Sequence, residues 1–251
     1  MQHFHVIRWA AWANGLETQA DWRAWLAAPR PLAEGGQPAL ADMPAMMRRR
    51  MDPLGRAALQ AAYWAQGEQA GRAPVVFASR WGEIARSLLL LQQLADGEAL
   101  SPTHFSLSVH NASSALYSMA RQDRSNYLAV AAGPCSAEAG VTEALGLLAD
   151  GAPEVLLVVF DAPLPPAYAA QGDALGAGQQ DAMLHAWACL LGPAQPAQGL
   201  SLRALPPEPT MPAAPGLPGG LAVLDFLSGA APQLRRTSPQ GSWLWERHHA
   251  G

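Results

Sequence analysis

The chain has 251 residues, half of them apolar and 14% charged, so it can bury a substantial core as one large or two small domains and is too apolar for disorder. Its net charge of −4 leaves no basic footprint for nucleic acid, and its basic residues are all Arg, a bias that carries no function by itself. Cys135 and Cys189 form no close-spaced framework of the secreted type, the opening MQHFHVIRWAAWANG lacks the basic lead of a signal peptide, and no apolar run approaches the roughly 18 residues of a membrane span, so a cytoplasmic protein is expected.

His5 to Ala13 reads as a first strand closed by an Asn14-Gly15 turn. Asp21 is placed to cap a short helix, DWRAWLA, with Trp22, Trp25 and Leu26 on one side. Residues 29–44 are Pro- and Gly-rich and read as a loop. Arg48, Arg49 and Arg50 form either a solvated turn or an anion site. Asp52-Pro53 then starts a helix running from Leu54 to Gln66, with alanines at helical spacing. Val75 to Ala78 is a strand, Ser79-Arg80-Trp81-Gly82-Glu83 a turn, and Glu83 to Ala95 an amphipathic helix.

The stretch from Ser101 to Pro163 organises the rest. Phe105, Leu107 and Val109 alternate with Ser106, Ser108 and His110, the period of a strand with two unlike faces; one face would pack on the core and the other on a partner, or the segment is a half-buried strand of a monomer. A helix follows. Tyr127 to Ala132 is an apolar run stopped by Gly133-Pro134, Ala137 to Ala149 is a small-residue helix ending at Asp150-Gly151, and Glu154 to Phe160 is a second apolar run. Short apolar runs alternating with helices indicate parallel strands buried on both faces. An Ala- and Gly-rich helix can approach its neighbours closely, which places this one near the centre. The strand-to-helix bend before it is the kind of site where α/β proteins mount a nucleophile, because a helix N-terminus favours negative charge.

Beyond this stretch, residues 168–178 read as a polar loop and Asp181 to Leu191 as a buried helix or strand-like run. Gly199 to Leu205 alternates as a strand, residues 206–220 run over the surface, Leu221 to Leu227 is a last helix, and Gly241 to Glu246 is a terminal strand. No internal repeat of solenoid length is present. Gly-Pro-Cys-Ser-Ala is not a Ser-hydrolase elbow, and residues 216–220 make no phosphate loop.

Several of these pieces, taken in order, resemble the N-terminal half of the β-ketoacyl synthases, and most of all the short chain-length-factor-like proteins of aryl-polyene and related polyketide-type pathways. They are Ser79-Arg80-x-Gly82-Glu83, Ser101-Pro102-Thr103, Phe105 through Asn111, Ala131-Ala132-Gly133-Pro134 and the helix to Gly151. The resemblance implies an α/β, thiolase-like mixed sheet flanked by helices. One domain would then span residues 1–251, with a core to about residue 165 and a truncated C-terminal half from about 166 to 251.

The resembled enzymes use a Cys thiolate at a helix N-terminus and two His supplied by a C-terminal half. Cys135 is the candidate here. With Asn111 and Arg124 laid on the family's Asn and Arg, however, the nucleophile position falls on Pro134, and counting back from Gly151 gives Pro134 again. One residue along a helix turns a side chain by about 100°. Cys135 therefore reads as a buried small residue before it reads as a thiolate. His110 either faces the pocket or is a hydrogen-bonded structural residue, and His185 reads as a satisfied core histidine. His248 and His249 lie where order is least expected. His3 and His5 have no Cys or carboxylate at ligand spacing, so no metal site is expected.

The expected function is that of a non-catalytic, chain-length-factor-like subunit pairing with a full β-ketoacyl synthase in fatty-acid, polyene or polyketide elongation. A homodimer is the other assembly considered. Ser79, Arg80, Glu83, Phe105, Ser108, His110 and Asn111 would line a pocket or interface. No cofactor is implied beyond acyl groups arriving on the phosphopantetheine of an acyl carrier protein, whose acidic surface Arg48 to Arg50 would meet if that run is functional. The alternative is a compact acyl-thioester enzyme, a ketosynthase or acyltransferase, using Cys135, with His110 as its candidate partner.

Overall fold

A computed structural model describes residues 3–68, 71, 73–169, 183–194, 198–206, 217–238 and 241–249. Most of the loops expected at 168–178 and 206–220, and the first residues of the run beginning at Asp181, lie outside the described residues. The described strands form one mixed sheet: β1 (His3–Ala13), β2 (Val75–Ala78), β3 (Tyr127–Val130), β4 (Val155–Asp161), β5 (His185–Pro193), β6 (Gln198–Leu205), β7 (Gln233–Ser238) and β8 (Gly241–His249). Their order is β3-β2-β4-β5-β1-β6-β8-β7. β2 pairs in parallel with β3 and β4, whereas every other pairing is antiparallel.

Helices cover both faces, and strand alternation divides the core accordingly. On one face Val76, Val155, Leu157, Val159, Trp187, Cys189 and Leu191 meet α1 (Gln19–Ala27), α7 (Ser136–Ala149) and α9 (Gly219–Ser228). On the other, Phe77, Leu156, Val158, Phe160, Ala186, Ala188 and Trp12 meet α3 (Pro53–Gln66) and α6 (Ala112–Arg121). The alanines of α3, at positions 57, 58, 61, 62 and 65, are fully buried against this face. α7 lies equally close on its own side: a Cβ at Gly140 would stand 2.8 Å from Leu157 and 2.9 Å from Ala78. The small-residue helix is central because its small residues let it touch the sheet.

Several local expectations need revision. α1 is capped by Thr18, with Asp21 in its first turn completing a reciprocal capping box. Asp52 stands at the N-cap of α3, but its carboxylate pairs with Arg86 at 2.5 Å and makes no capping bond. The segment expected as a strand from Phe105 is the short helix α5 (Pro102–Ser106) followed by a turn. Ser101 caps it and Pro102 occupies its first position, a start signal that outweighs a brief alternation. Within the described part of the run expected as a buried helix or strand, His185 to Leu191 lies in strand β5. β3 pairs in parallel as expected, yet it is the sheet edge, and Tyr127 to Ala129 are exposed. β8 runs through the C-terminal histidines, with His248 paired to Gly199.

Helix α4 (Ile84–Ala95) and the short helices α2 (Ala45–Arg48) and α8 (Pro166–Ala169) are the other described helices. Arg48 and Arg56 are tied to backbone carbonyls of Leu40, Met51 and the turn itself, so part of the arginine run is an internal clamp. Among the described residues no helix is long and apolar enough to cross a membrane.

Candidate functional site

The carboxyl ends of parallel strands β2, β3 and β4 lie together, with the bend into α7 beside them. β3 ends at Val130, Gly133 takes a φ of 54°, and Gly133–Cys135 form a single 3-10 turn leading into α7. Ser136 closes the bend on itself: its Oγ donates to Gly133 O at 2.8 Å and accepts from Ala132 N at 3.1 Å.

Pro134, the residue at the expected nucleophile position, has its carbonyl held by Arg236. The Arg236 Nη2 donates to Pro134 O at 3.0 Å, and Nη1 meets Glu138 Oε1 at 2.6 Å. Glu138 is fully buried one turn into α7. Burial pushes its carboxyl up from the ordinary range, and Arg236 pulls it back. Cys135, adjacent, is buried with its Sγ 3.0 Å from Ser238 Oγ. Arg236 and Ser238 both come from β7.

A second network joins β2, β4 and the turn before α6. Ser79 Oγ donates to Asp161 Oδ1 at 3.0 Å and accepts from Gly82 N at 2.8 Å, and Arg80 N donates to the same carboxylate oxygen at 2.8 Å. His110 Nε2 donates to Ser79 O at 2.9 Å, and the absence of a side chain at Gly82 lets the imidazole lie directly on that residue, since a Cβ there would stand 2.8 Å from His110 Cδ2. Arg80 stacks over Trp81, 5.0 Å from the ring centroid.

Glu83 is buried beneath this turn, where Ser113 Oγ donates to its Oε1 at 3.2 Å. Burial, helped by the charge of Asp52, raises its pKa from 4.5 to about 7 against the opposing pull of Arg86. The space around it is lined by Met51, Asp52, Arg86, Leu107, Ser113 and Leu116.

The expected residues therefore separate into two groups. Ser79, Arg80, Glu83 and His110 are brought together. Ser108 is tied instead to α4, its carbonyl accepting from Ser87 Oγ at 3.2 Å, while Asn111 stands exposed at the N-cap of α6 and Phe105 is 62% exposed. Cys135 belongs to the other group. Its hydrogen bond runs to Ser238, that of His110 to Ser79, and no hydrogen bond joins the two among the described residues.

Arg236, Glu138 and Asp161 were not singled out from the sequence. An acid in the first turn of a small-residue helix, directly after the Gly-Pro bend, is the signal that points to Glu138. His3 and His248 lie edge to face with centroids 4.6 Å apart, and His248 bonds Ser201 at 2.8 Å.

A mixed sheet with helices on both faces, and a tight bend opening a small-residue helix at the carboxyl end of its parallel strands, define a ketosynthase-type, thiolase-like fold. The chain belongs to the family described as β-ketoacyl synthase, N-terminal domain, whose model matches residues 22–246. It is similar over 98% of its length, at 27% identity and a TM-score of 0.83, to a chain of a ketosynthase (ApeO) in complex with its chain length factor (ApeC) from Xenorhabdus doucetiae, and it covers all of that chain. The same fold recurs in the ishigamide ketosynthase/chain length factor, at 17% identity and a TM-score of 0.62 over 80% of this chain and 67% of that one. It recurs again in AntDE:AntF, a type II polyketide synthase acyl-carrier protein in complex with its ketosynthase, at 10% identity and a TM-score of 0.65 over 99% of both chains. No curated protein matches the sequence.

Proposed function

We propose that this chain is a chain-length-factor-like subunit that pairs with a full β-ketoacyl synthase and contributes no nucleophile of its own. The observation that carries this reading is the bend before α7. The residue at its expected nucleophile position, Pro134, has its carbonyl held by Arg236, and the neighbouring thiol is buried against Ser238. A thiolate at work needs access, an acid–base partner and oxyanion donors in place. The hydrogen bonds of Cys135 and His110 lead to different neighbours.

The partner surface is the sheet edge at β3. Tyr127 and Leu128 are exposed along it, and Phe105, Val109 and Met119 stand exposed on the adjoining α5–α6 region. An unpaired edge strand with apolar side chains beside it favours association over solvation. The acyl chain would arrive on the phosphopantetheine of an acyl carrier protein docked on the partner, and this subunit would shape the far end of its tunnel.

The test is reconstitution of condensation from acyl and malonyl carrier-protein thioesters with a candidate full-length ketosynthase. The chain alone is expected to be inactive, the pair active, and the Cys135→Ala pair as active as the native one. Condensation by the chain alone, abolished by Cys135→Ala and accompanied by rapid iodoacetamide labelling of Cys135, would overturn the reading in favour of a compact acyl-thioester enzyme.

A further inference from the structure

We propose that the first turn of α9, together with His185 and Trp187 beneath it, is a binding site for one hydroxyl oxygen, supplied either by an ordered water or by the hydroxyl end of an acyl chain. The acyl-chain source rests on the function proposed above, whereas the water source does not.

α9 begins at Gly219 after Pro218, which offers no side-chain cap, so the first backbone N–H groups of the helix have no intrahelical acceptor. Directly beneath, on the α9 face of β5, lie His185 and Trp187, 2% and 0% exposed. The His185 Nδ1 lies 3.1 Å from Met183 O, a carbonyl that can only accept, so Nδ1 carries the hydrogen and Nε2 presents a lone pair. Burial pulls the pKa of this imidazole down to about 4, which keeps it neutral at ordinary pH.

Among the described residues neither His185 Nε2 nor Trp187 Nε1 has a hydrogen-bond partner, although both atoms are buried. They converge on one spot, the bare Cα of Gly220. A Cβ there would lie 3.7 Å from Trp187 Nε1, 3.8 Å from His185 Nε2 and 3.4 Å from Val159 Cγ1. The missing side chain at residue 220 leaves a notch between an acceptor, a donor and an uncapped helix start.

That donor set selects its occupant. An anion would be welcomed by the helix start and the indole N–H but repelled by the imidazole lone pair. A cation would face the indole hydrogen and the helix N-terminus. An apolar group would leave two buried polar atoms unpaired, each costly to strand. A hydroxyl answers both: it accepts from Trp187 and donates to His185, while its second lone pair faces the helix start. The notch also adjoins the bend before α7, because a Cβ at neighbouring Gly219 would collide with Arg236 Nη2 and lie 3.1 Å from Pro134 O, so the protein's own cation already stands beside the helix start.

Gly220→Ala decides the matter by sign. Its backbone is helical and the new methyl meets only ordinary contacts, so with an empty notch the substitution removes a helix glycine and the melting temperature rises. With the notch filled by oxygen, the methyl evicts it and strands both nitrogens, and the melting temperature falls by about 3 °C or more. A rise overturns the proposal.

Independently of that variant, the indole N–H resonance of Trp187 in the native protein is expected to show a cross-peak to bound water, or to move on titration with 1-hexanol but not with hexane. A water cross-peak unaffected by 1-hexanol assigns the site to water, and displacement of that cross-peak by 1-hexanol assigns it to a chain end as well. Absence of both responses overturns the proposal. None of these readouts involves a partner ketosynthase, so failure of pairing leaves them untouched.

Discussion

Glu83 carries a proton that the unfolded chain would release. Its folded pKa of about 7 against an ordinary 4.5 means that between those values the native state binds more protons than the unfolded one. Its contribution to stability is fully present below about 4.5 and is lost as pH rises through about 7, a change on the order of 3 kcal/mol over the whole window. The native protein should therefore melt at a lower temperature at pH 8.5 than at pH 5.5. Glu83→Gln, which cannot ionise, should flatten that dependence in calorimetry across the same range.

In the Arg236–Glu138 pair each charge is tolerated because the other is there. Arg236→Ala strands a fully buried carboxylate and frees the Pro134 carbonyl, and should cost about 3–5 kcal/mol in urea unfolding. Arg236→Met with Glu138→Leu, which removes both charges, should recover most of that loss. Residues such as Ser79, Glu83 and His110 were legible in the sequence because they cluster within a few positions of recognisable turns. Arg236 was not, because its partners Pro134 and Glu138 lie some hundred positions earlier in the chain, and no local pattern encodes that distance.

At the scale of elements, α7 shows why small residues recur at the centre. Gly140 faces the sheet and Gly146 faces open space. Alanine at position 140 must push into Leu157 and Ala78 and is expected to cost about 1–3 kcal/mol by overpacking. The same change at position 146 meets nothing within 4 Å and should stabilise by about 0.5–1 kcal/mol through helix propensity. Chemical denaturation of the two variants would separate packing from propensity on a single helix.

The elements with long apolar runs, β4 above all, were readable because a run buried on both faces has a single interpretation once turns bound it. The alternation from Phe105 to His110 suggests a strand, but so short a segment holds too little periodicity to fix its structure, and the Ser101-Pro102 start signal makes its first residues the end of α5. β7 escaped notice because QLRRTS is an edge strand with alternating exposure, and its stability comes from pairing with β8.

For the whole molecule, the two edges of the sheet differ in character. β7 closes one edge with polar and basic residues, while β3 leaves the other lined by Tyr127 and Leu128, with Val109 and Met119 on neighbouring elements. Edge strands are normally protected by charge, proline or cover, and β3 has none of these in its sequence YLAV. What covers β3 was the part of the fold hardest to read from the sequence, since an apolar run looks the same whether its own helices, another chain or nothing buries it.

If β3 is the seam with a ketosynthase, charge placed there should act on assembly and leave the subunit's own core alone. Leu128→Arg with Met119→Glu alters only side chains that are already exposed, so the melting temperature of the isolated chain should move little. The same substitutions would force unpaired charges into the middle of an apolar contact, and light scattering with the ketosynthase should register at least a tenfold loss of association, about 1.4 kcal/mol. Undiminished pairing by this variant would place the seam on another face of the molecule.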